Sequence, residues 1–340
     1  MREVASNGAG EVFIREAPDP EMKGPGAIIR TMCSVIGTGT ETMGLKAARK
    51  DPGDPEKIVG RGYQSMGRVE ELSDDMEGYA VGDLVACCGN GRHAERSWVA
   101  KNLIAPVPEG VSPEAAAASN SALTGVHAIR RGRVQIGDVV FVQGLGLVGQ
   151  LTAQVARAAG AVVVGSDLVP ARCEKAHETG IDAVVNASAE DVVRAVREMS
   201  DGRGADCTIC CASAANSTKP AEEAFAATRV NGRVVVVGVF QMVRPGSGDL
   251  DVLMSGGRGP GWHEAWHEVE GRDFSPWHTF WPERRNLVLY LDLVAGSKIE
   301  ADAFISHTFD FADAPAAYDL AISTPADALG IALRYEPADA

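Results

Sequence analysis

The chain has 340 residues, 45% of them hydrophobic, which supplies core material for two domains or one large one. Its 46 acidic residues outnumber its 32 Lys and Arg, and the formal charge of -14 argues against nucleic acid and anionic membrane surfaces as partners. The first residues show no signal-peptide pattern, and no apolar run approaches about 18 residues. We therefore expect a cytoplasmic protein.

The first 120 residues contain short β-rich segments broken by Gly and Pro. We predict strands over 27–35, 67–72, 83–88 and 95–99, which together indicate an irregular β-barrel or sandwich. The small residues of 115–129 then favour a helix packed closely against a neighbour.

From residue 139 onward, apolar β-branched runs alternate with helical segments at a spacing of roughly 20 to 25 residues. Runs that are apolar on both faces are typical of a parallel sheet covered by helices. We predict strands over 139–142, 161–165, 183–185, 207–211 and 233–237.

The seven cysteines are scattered over the chain and do not form a compact disulfide framework. Cys207 and Cys210 form a C-x-x-C inside an apolar run, but no second pair follows at zinc-finger spacing. We interpret them as buried strand cysteines; the alternative is a redox or metal pair.

A glycine pattern follows the predicted strand 139–142 directly. Gly144, Gly146 and Gly149 form a G-x-G-x-x-G that opens a helix. The first glycine allows a tight turn, the second lets the backbone approach a pyrophosphate, and the third permits close packing of helix and strand. Phosphates would then face the N-terminus of the helix, where free N–H groups favour anions.

An acidic residue follows at the distance that a dinucleotide site requires. Asp167 lies 18 residues after Gly149, at the end of the next predicted strand, where it can bind the adenosine ribose hydroxyls. Its charge would repel a 2'-phosphate, so we predict NAD rather than NADP. Arg172 is the counter-argument, because a basic residue there could hold a phosphate; its alternative role is to lie along the adenine.

The order of these regions resembles the medium-chain dehydrogenase/reductase superfamily, the relatives of alcohol dehydrogenase. The motifs that carry the resemblance are Gly39-Thr40-Glu41, Gly62 to Val69, Gly82 to Val85, Thr124, the Gly144 to Gly149 turn with Asp167, Gly232 to Val234, and Ile305 to His307. The resemblance implies an α/β chain with a GroES-like β-rich catalytic domain (1–121 and 279–340) and a Rossmann dinucleotide-binding domain (122–278). Further residues that we assign to the cofactor site are Leu147, Val148, Thr124 and Gly238.

The resemblance fails where zinc-dependent members hold their catalytic metal. The places of their Cys, His-Glu and Cys appear here as Thr38 (or Gly37), Tyr63 with Gln64, and Asn120, which leaves no thiolate or imidazole. The four cysteines of the structural zinc lobe are also missing. We predict a zinc-independent protein; its serine- and glycine-containing segment 34–41 is similar to the branch with the bacteriochlorophyllide a dehydrogenases, and its C-terminal return segment is similar to sugar and polyol dehydrogenases.

Without a metal, hydrogen-bond donors or a base must act on the substrate oxygen. Our hypothesis is that the Tyr63 phenol bonds this oxygen and that Thr40 passes the proton onward. Glu41 and Asn120 would orient the pair, and Gln64 would hold the substrate or Tyr63. The alternatives are that Tyr63 and Gln64 only fill space, and that Glu41 is the buried partner of an Arg.

The segment 262–281 holds four of the five tryptophans. His263 to His267 (HEAWH) matches the zinc-protease pattern H-E-x-x-H by spelling, but it lies in a Gly-Pro-flanked insertion, so we reject a metal site there. We predict instead that His263, Trp266, Trp277 and Trp281, with Trp262, line a substrate wall suited to sugars. The alternative is a subunit interface, where aromatic residues are also enriched.

These observations predict an NAD-dependent oxidoreductase that interconverts a secondary alcohol and its ketone without zinc. A sugar, glycoside or polyol hydroxyl is the preferred substrate, and a homodimer or homotetramer is expected from the resemblance. The alternatives are a metal-free quinone or enoyl reductase and a nucleotide-binding sensor that lost the chemistry.

Overall fold

The computed structural model describes residues 1–243, 249–275 and 277–336. The chain divides into two compact units. The first unit consists of Met1–Leu123, Pro260–Gly296 and Ile305–Ala340, and the second of Thr124–Gly259 and Ser297–Phe304.

The strands, in chain order, are β1 (Arg2–Ser6), β2 (Val12–Glu16), β3 (Gly26–Gly37), β4 (Val59–Gly60), β5 (Gln64–Leu72), β6 (Leu84–Cys88), β7 (Arg96–Ala100), β8 (Ile104–Pro106), β9 (Val139–Gln143), β10 (Val162–Asp167), β11 (Ala183–Asn186), β12 (Ala205–Cys210), β13 (Thr228–Val236), β14 (Asp251–Met254), β15 (Ile305–Asp310) and β16 (Gly330–Arg334). The α-helices are α1 (Thr40–Lys50), α2 (Pro113–Ala117), α3 (Ser119–Arg131), α4 (Leu147–Ala158), α5 (Pro170–Glu178), α6 (Val192–Glu198), α7 (Lys219–Ala227), α8 (Ala265–Glu268), α9 (Glu283–Ala295) and α10 (Ala314–Ser323).

The first unit is built on two sheets. One has the order β2-β1-β4, and the other has the order β15-β16-β3-β5-β6-β8, with β7 also paired to β3. Long strand β3 is central because it pairs with β5, β7 and β16, all antiparallel. Its side chains Ile28, Ile29 and Ile36 are buried, and Ile36 packs with Tyr318 of α10 in the core. The last residues of β3 and the first residues of α1 are thereby held in a fixed position.

The second unit is a parallel six-stranded sheet in the order β11-β10-β9-β12-β13-β14. This order is that of a doubly wound dinucleotide-binding sheet, with β9 and β12 at its centre. Val139, Phe141 and Val164 are buried in its core with residues of the covering helices. The predicted α/β fold with a β-rich domain and a Rossmann domain is confirmed.

The predicted strands are present, with ends that shift by a few residues. The largest shift is at β13, which begins five residues before the predicted 233. The predicted helix 115–129 is interrupted at Ala118, between α2 and α3. The predicted division at 121/122 and 278/279 differs from the compact units mainly in residues 260–278, which lie in the first unit. As a functional division it stays a prediction.

Within the described residues, no helix combines the length and the hydropathy needed to span a bilayer. Six of the seven cysteines, including Cys207 and Cys210, are buried. Burial raises the pKa of the Cys207 thiol to about 12, so this pair lacks the thiolate that redox or metal chemistry needs.

Candidate active site

The glycine turn after β9 has the shape that its sequence predicts. Gly144 has φ +90°, a conformation that favours glycine, and a Cβ on it would lie 2.7 Å from the Ala212 nitrogen. A Cβ on Gly149 would lie 1.8 Å from the carbonyl oxygen of Gly144. Side chains at either position would therefore break the turn or push α4 away from the strand.

The backbone N–H groups at the N-terminus of α4 are available to bind a ligand. Gly146 caps the helix without a side-chain hydrogen bond, and the nearest atom to a Cβ on Gly146 is the Arg172 Nη1 at 3.9 Å. Leu147 and Val148 are the first residues of the helix, so their N–H groups lack partners in the helix. Gly238 lies after β13, where a Cβ would be 1.8 Å from the Ala212 carbonyl oxygen.

The Asp167 carboxylate ends β10 and is anchored by two backbone groups. Its Oδ2 accepts the Leu145 N–H at 2.7 Å, its Oδ1 accepts the Val169 N–H at 2.9 Å, and the Arg172 Nη1 lies 3.6 Å away. An ionised carboxylate offers about four acceptor sites, so two remain for hydroxyl donors. A dinucleotide fits these features: the glycine turn, the N-terminus of α4 and the Asp167 carboxylate.

The Gln64 side chain is fully buried and is held on both sides of its amide. Its Nε2 donates to the Val35 carbonyl at 3.0 Å, and its Oε1 accepts from the Ser121 N–H at 3.0 Å and from the Ser121 hydroxyl at 3.2 Å. Gln64 thus joins β5 to β3 and to the start of α3. These contacts account for a structural role; whether Gln64 also contacts a substrate stays a prediction.

Tyr63 differs from its neighbour because its hydroxyl is uncommitted. The residue is half-buried, and its hydroxyl makes no hydrogen bond to any part of the chain that the structure describes. The hydroxyl oxygen lies 2.9 Å from the position of a Cβ on Gly37, and the Ser121 Oγ and Gln64 Nε2 lie within 4.0 Å of the same position. A donor is therefore placed at the end of β3, beside two fixed polar side chains.

The other predicted catalytic residues occupy different surroundings. Thr40 is exposed and is the first residue of α1. Asn120 is half-buried in the first turn of α3, one turn before Thr124. Thr38 is buried and donates to the Leu329 carbonyl at 2.9 Å.

Glu41 is buried in a polar network that the sequence analysis did not identify. Its Oε1 accepts from the His93 Nε2 at 3.0 Å and from the Tyr318 hydroxyl, and its Oε2 accepts from the Gly37 N–H at 3.2 Å. The alternative of a salt bridge between the Glu41 carboxylate and an Arg is not what the structure shows, because Arg61 donates to the Glu41 backbone carbonyl at 2.5 Å. The principal partners of Glu41 are therefore a histidine and a tyrosine.

The network continues on the other side of the imidazole. The His93 Nδ1 lies 2.8 Å from the Ser34 Oγ, which lies 3.0 Å from the Tyr335 hydroxyl. Ser34, His93 and Glu41 have the order of a hydrolase triad, but Ser34 and His93 are completely buried, and a nucleophile must reach its substrate. The arrangement is not a hydrolase site.

The network sets the charge of Glu41. Burial by itself would raise the pKa of this carboxyl, but His93, the Tyr318 hydroxyl and Arg61 together hold it below its usual value. Burial and then the Glu41 charge raise the pKa of Tyr63, while Arg61 opposes them. At neutral pH, Glu41 is an anion and Tyr63 is a protonated phenol.

The residues at the family's metal positions do not fit zinc. Thr38 and Gln64 are hydrogen-bonded within the first unit, and a phenol and an amide are poor zinc ligands. Among the described residues, no group of three or more His, Cys, Asp or Glu side chains could hold a metal ion.

The histidines of HEAWH are not a pair on one helix face. His263 is exposed, has φ +66° and lies before α8, which is only four residues long, whereas His267 is buried within it. Their side chains therefore have different environments.

The tryptophans of this segment are half-buried or exposed. Trp266 packs edge-on against Phe274 at 4.7 Å, Trp262 lies on His263 at 4.1 Å, and Arg285 lies 3.9 Å above the Trp281 ring. Trp277 is 96% exposed. A substrate wall or a subunit interface made from these residues stays a prediction.

Comparison with known proteins agrees with this architecture. The family described as zinc-binding dehydrogenase matches residues 148–256. A D-guloside 3-dehydrogenase of Shigella flexneri is 35% identical over 152 residues, 44% of this chain and 43% of that protein, so the chain spans less than half the length of this relative. Human sorbitol dehydrogenase is 26% identical over 367 residues, 98% of this chain and 95% of that protein.

Solved structures share the fold across the whole chain. The alcohol dehydrogenase TADH from Thermus sp. ATN1 superposes with a TM-score of 0.79 at 22% identity and covers 99% of this chain and 100% of its own. A dehydrogenase (rspB) from Escherichia coli CFT073, complexed with NADH, has a TM-score of 0.76 at 17% identity, covering 98% and 99%. A zinc-binding dehydrogenase from Sinorhizobium meliloti 1021, bound to NADP, has a TM-score of 0.75 at 22% identity, covering 98% of each chain. The family match over residues 148–256 and the similarity to human sorbitol dehydrogenase along the chain, with the glycine turn and the two kinds of sheet, support placing this protein in the medium-chain dehydrogenase/reductase superfamily.

Proposed function

We propose that this protein is an NAD-dependent, zinc-independent oxidoreductase that interconverts a secondary alcohol and its ketone. The observation that carries the proposal is the Tyr63 hydroxyl, which is half-buried, protonated and uncommitted at the position where zinc-dependent relatives hold their metal. A phenol there can donate a hydrogen bond to a reacting oxygen, which is the task that a metal would otherwise perform.

The cofactor is assigned from the second unit. Gly144, Gly146 and Gly149 would hold the pyrophosphate at the α4 N-terminus, and Asp167 would bind the ribose hydroxyls. Two amide N–H groups and Arg172 hold this carboxylate in place, and its negative charge would repel a 2'-phosphate, which favours NAD over NADP. Bound nicotinamide would supply or accept the hydride.

Tyr63 would act as a hydrogen-bond donor and general acid. Because its pKa is raised, the phenol is not the resting base; in the direction of ketone reduction it gives its proton to the carbonyl oxygen. Thr40 stays the proposed proton relay, with exposure at the start of α1 that would let it exchange protons with solvent. Asn120 and Gln64 would limit the positions that a substrate oxygen can take.

The substrate class is supported by the relatives. Proteins named D-guloside 3-dehydrogenase and sorbitol dehydrogenase oxidise, by their names, a glycoside and a polyol. We therefore propose that a hydroxyl of a sugar, glycoside or polyol is the substrate. Assembly as a homodimer or homotetramer and a cytoplasmic location stay predictions.

The test is turnover with NAD or NADP and a panel of glycosides and polyols, followed at the NADH absorbance band, together with metal analysis of the purified protein. Replacing Tyr63 by Phe should reduce turnover at least tenfold while NAD affinity stays the same. Near-normal turnover of the variant, or stoichiometric zinc that is needed for activity, would refute the assignment. Turnover with a quinone or an activated double bond, and not with alcohols, would replace it by a reductase function.

A further inference from the structure

His93 and Glu41 form a buried pair joined by a hydrogen bond. Both side chains are at most 3% exposed. An ionised carboxylate only accepts hydrogen bonds, so the His93 Nε2 must carry the hydrogen that points at Glu41. The His93 ring is held from its other side by Ser34 and lies 6.0 Å from the Tyr318 ring.

The lack of a side chain at residue 62 leaves room for the imidazole. Gly62 has φ +90°, and a Cβ on it would lie 2.4 Å from the His93 nitrogen and 2.7 Å from the Cγ of the ring. The glycine before Tyr63 therefore makes room for His93. The segment that positions Tyr63 and the residue that bonds Glu41 are packed against each other.

Gly37 connects this pair with the proposed donor. Its N–H binds the Glu41 Oε2, and its α-carbon faces the Tyr63 hydroxyl. The charged and titratable groups around Tyr63 come from three elements: Glu41 on α1, Arg61 before β5, and Tyr318 on α10. Glu41 is the anion among them, and His93 and Tyr318 are its side-chain donors.

We propose that His93 is a positioning residue of the reaction: it keeps Glu41 as a buried anion, and this anion binds the Gly37 N–H and so fixes the backbone against which the Tyr63 hydroxyl lies. The inference depends on the proposed function of Tyr63. During ketone reduction, the carbon receives a hydride from the reduced dinucleotide, and the electron pair of the C=O π bond takes the Tyr63 proton. The phenolate then regains a proton from water.

The consequence is a change in pH dependence when a donor to Glu41 is removed. Burial raises the pKa of Glu41 and His93 is the main opposing influence, so a variant without the imidazole should hold Glu41 at a raised pKa. Glu41 would then be protonated as the pH falls toward the acidic side of neutral, and the anion would be lost. The native protein keeps the anion throughout this range.

The experiment measures the kcat/KM of ketone reduction from about pH 5 to about pH 9 for the native protein and four variants. We expect His93→Leu to gain an acid limb that the native protein lacks, with activity reduced at least tenfold at the acidic end. His93→Gln, which can present an amide N–H to Glu41, should restore most of the loss. Tyr318→Phe removes the other side-chain donor with little change in volume and should show the same limb, and it replaces His93→Leu if that variant does not fold. Glu41→Gln should be slow at every pH.

Tyr290→Phe is the matched control, because it removes a buried tyrosine hydroxyl that donates to the Ala115 carbonyl at 2.7 Å, outside this network. It should leave the pH profile unchanged. Infrared spectra of His93→Leu at acidic pH should show a protonated carboxyl band that comes from Glu41. The band should be missing in the double variant that carries both His93→Leu and Glu41→Gln. Unchanged pH profiles in both His93→Leu and Tyr318→Phe, in a protein whose turnover depends on Tyr63, would overturn this inference alone. Absence of Tyr63-dependent turnover would overturn the proposed function instead.

Discussion

The hydroxyl oxygen of Tyr63 lies 2.9 Å from the position that a Cβ on Gly37 would occupy. Contacts between a Cβ and another heavy atom at this distance are too short to be tolerated. The position of the Tyr63 hydroxyl therefore requires a glycine as the last residue of β3. Gly37 is buried, and its N–H is bonded to Glu41, so the backbone has little freedom to move away. This contact can be tested by adding a single methyl group.

Gly37→Ala should displace the Tyr63 hydroxyl and reduce turnover at least tenfold, because reacting groups must be held within a fraction of an ångström. Gly39→Ala is the control: a Cβ there meets nothing within 4 Å, and the residue is exposed. Steady-state kinetics of both variants check this. Equal activity of the two would contradict a catalytic position for Tyr63.

Gln64→Leu should lower the stability of the fold. The substitution leaves the Val35 carbonyl and the Ser121 N–H without their buried partner, and each such loss costs about 1–3 kcal/mol. We expect the free energy of unfolding to fall by roughly 2–4 kcal/mol in denaturant titrations. Tyr63→Phe should leave it within about 0.5 kcal/mol of the native value, because its hydroxyl makes no hydrogen bond within the described chain. Similar losses in both variants would show that Tyr63 is a packing residue.

Asp167→Asn should weaken NAD binding about tenfold or more and improve binding of NADP. The amide is a poorer partner for ribose hydroxyls, and removing the negative charge leaves the Arg172 guanidinium, 3.6 Å away, to attract a 2'-phosphate. Dissociation constants from fluorescence titration with both cofactors measure the effect. Asp182→Asn is the matched control, because the Asp182 carboxylate also accepts a hydrogen bond from a backbone N–H, that of Val163, at 2.8 Å. A parallel loss in Asp182→Asn would indicate general destabilisation of the second unit.

His127→Gln should make the protein more resistant to acid. Burial, together with Arg131 and Arg130, lowers the pKa of His127 to about 4, below its ordinary value of 6.5. The unfolded chain therefore binds a proton between these values while the folded chain does not, so this histidine destabilises the fold as the pH falls from about 6.5 toward 4. Relative to the native protein, the variant should gain about 1–2 kcal/mol between pH 7.5 and pH 5. His177→Gln is the control, because His177 is exposed. An equal gain in the free energy of unfolding in this control would contradict the account.

Gly44→Ala should stabilise the first unit. Gly44 lies within helix α1, is exposed, and a Cβ there meets nothing within 4 Å. Alanine in a helix interior is favoured over glycine by roughly 0.5–1 kcal/mol. Thermal unfolding should show a higher midpoint with unchanged kinetics. A lower midpoint would mean that this glycine has a role that the surrounding space does not reveal.

The sequence by itself determined the strand, glycine turn and helix of the proposed dinucleotide site, because these parts are local. Gly144, Gly146 and Gly149 lie in one turn, and Asp167 ends the neighbouring strand, so strand, turn and helix follow from residue type and spacing. The prediction of a zinc-independent site is local for the same reason, because it is read from Tyr63 and Gln64.

Only the tertiary structure decided which of the polar residues act together. Glu41 is bonded to His93, 52 residues away, and to Tyr318, 277 residues away, and no local pattern encodes pairings at such separations. The one available signal was that His93 is the first histidine of the chain, in a glycine-containing turn. The fold also separated Tyr63 from Gln64, because β5 turns the Gln64 amide into the interior between β3 and α3 and leaves the Tyr63 hydroxyl without a partner in the described chain. Long-range packing, rather than residue type, thus distinguishes the side chain that can react from the one that holds the structure.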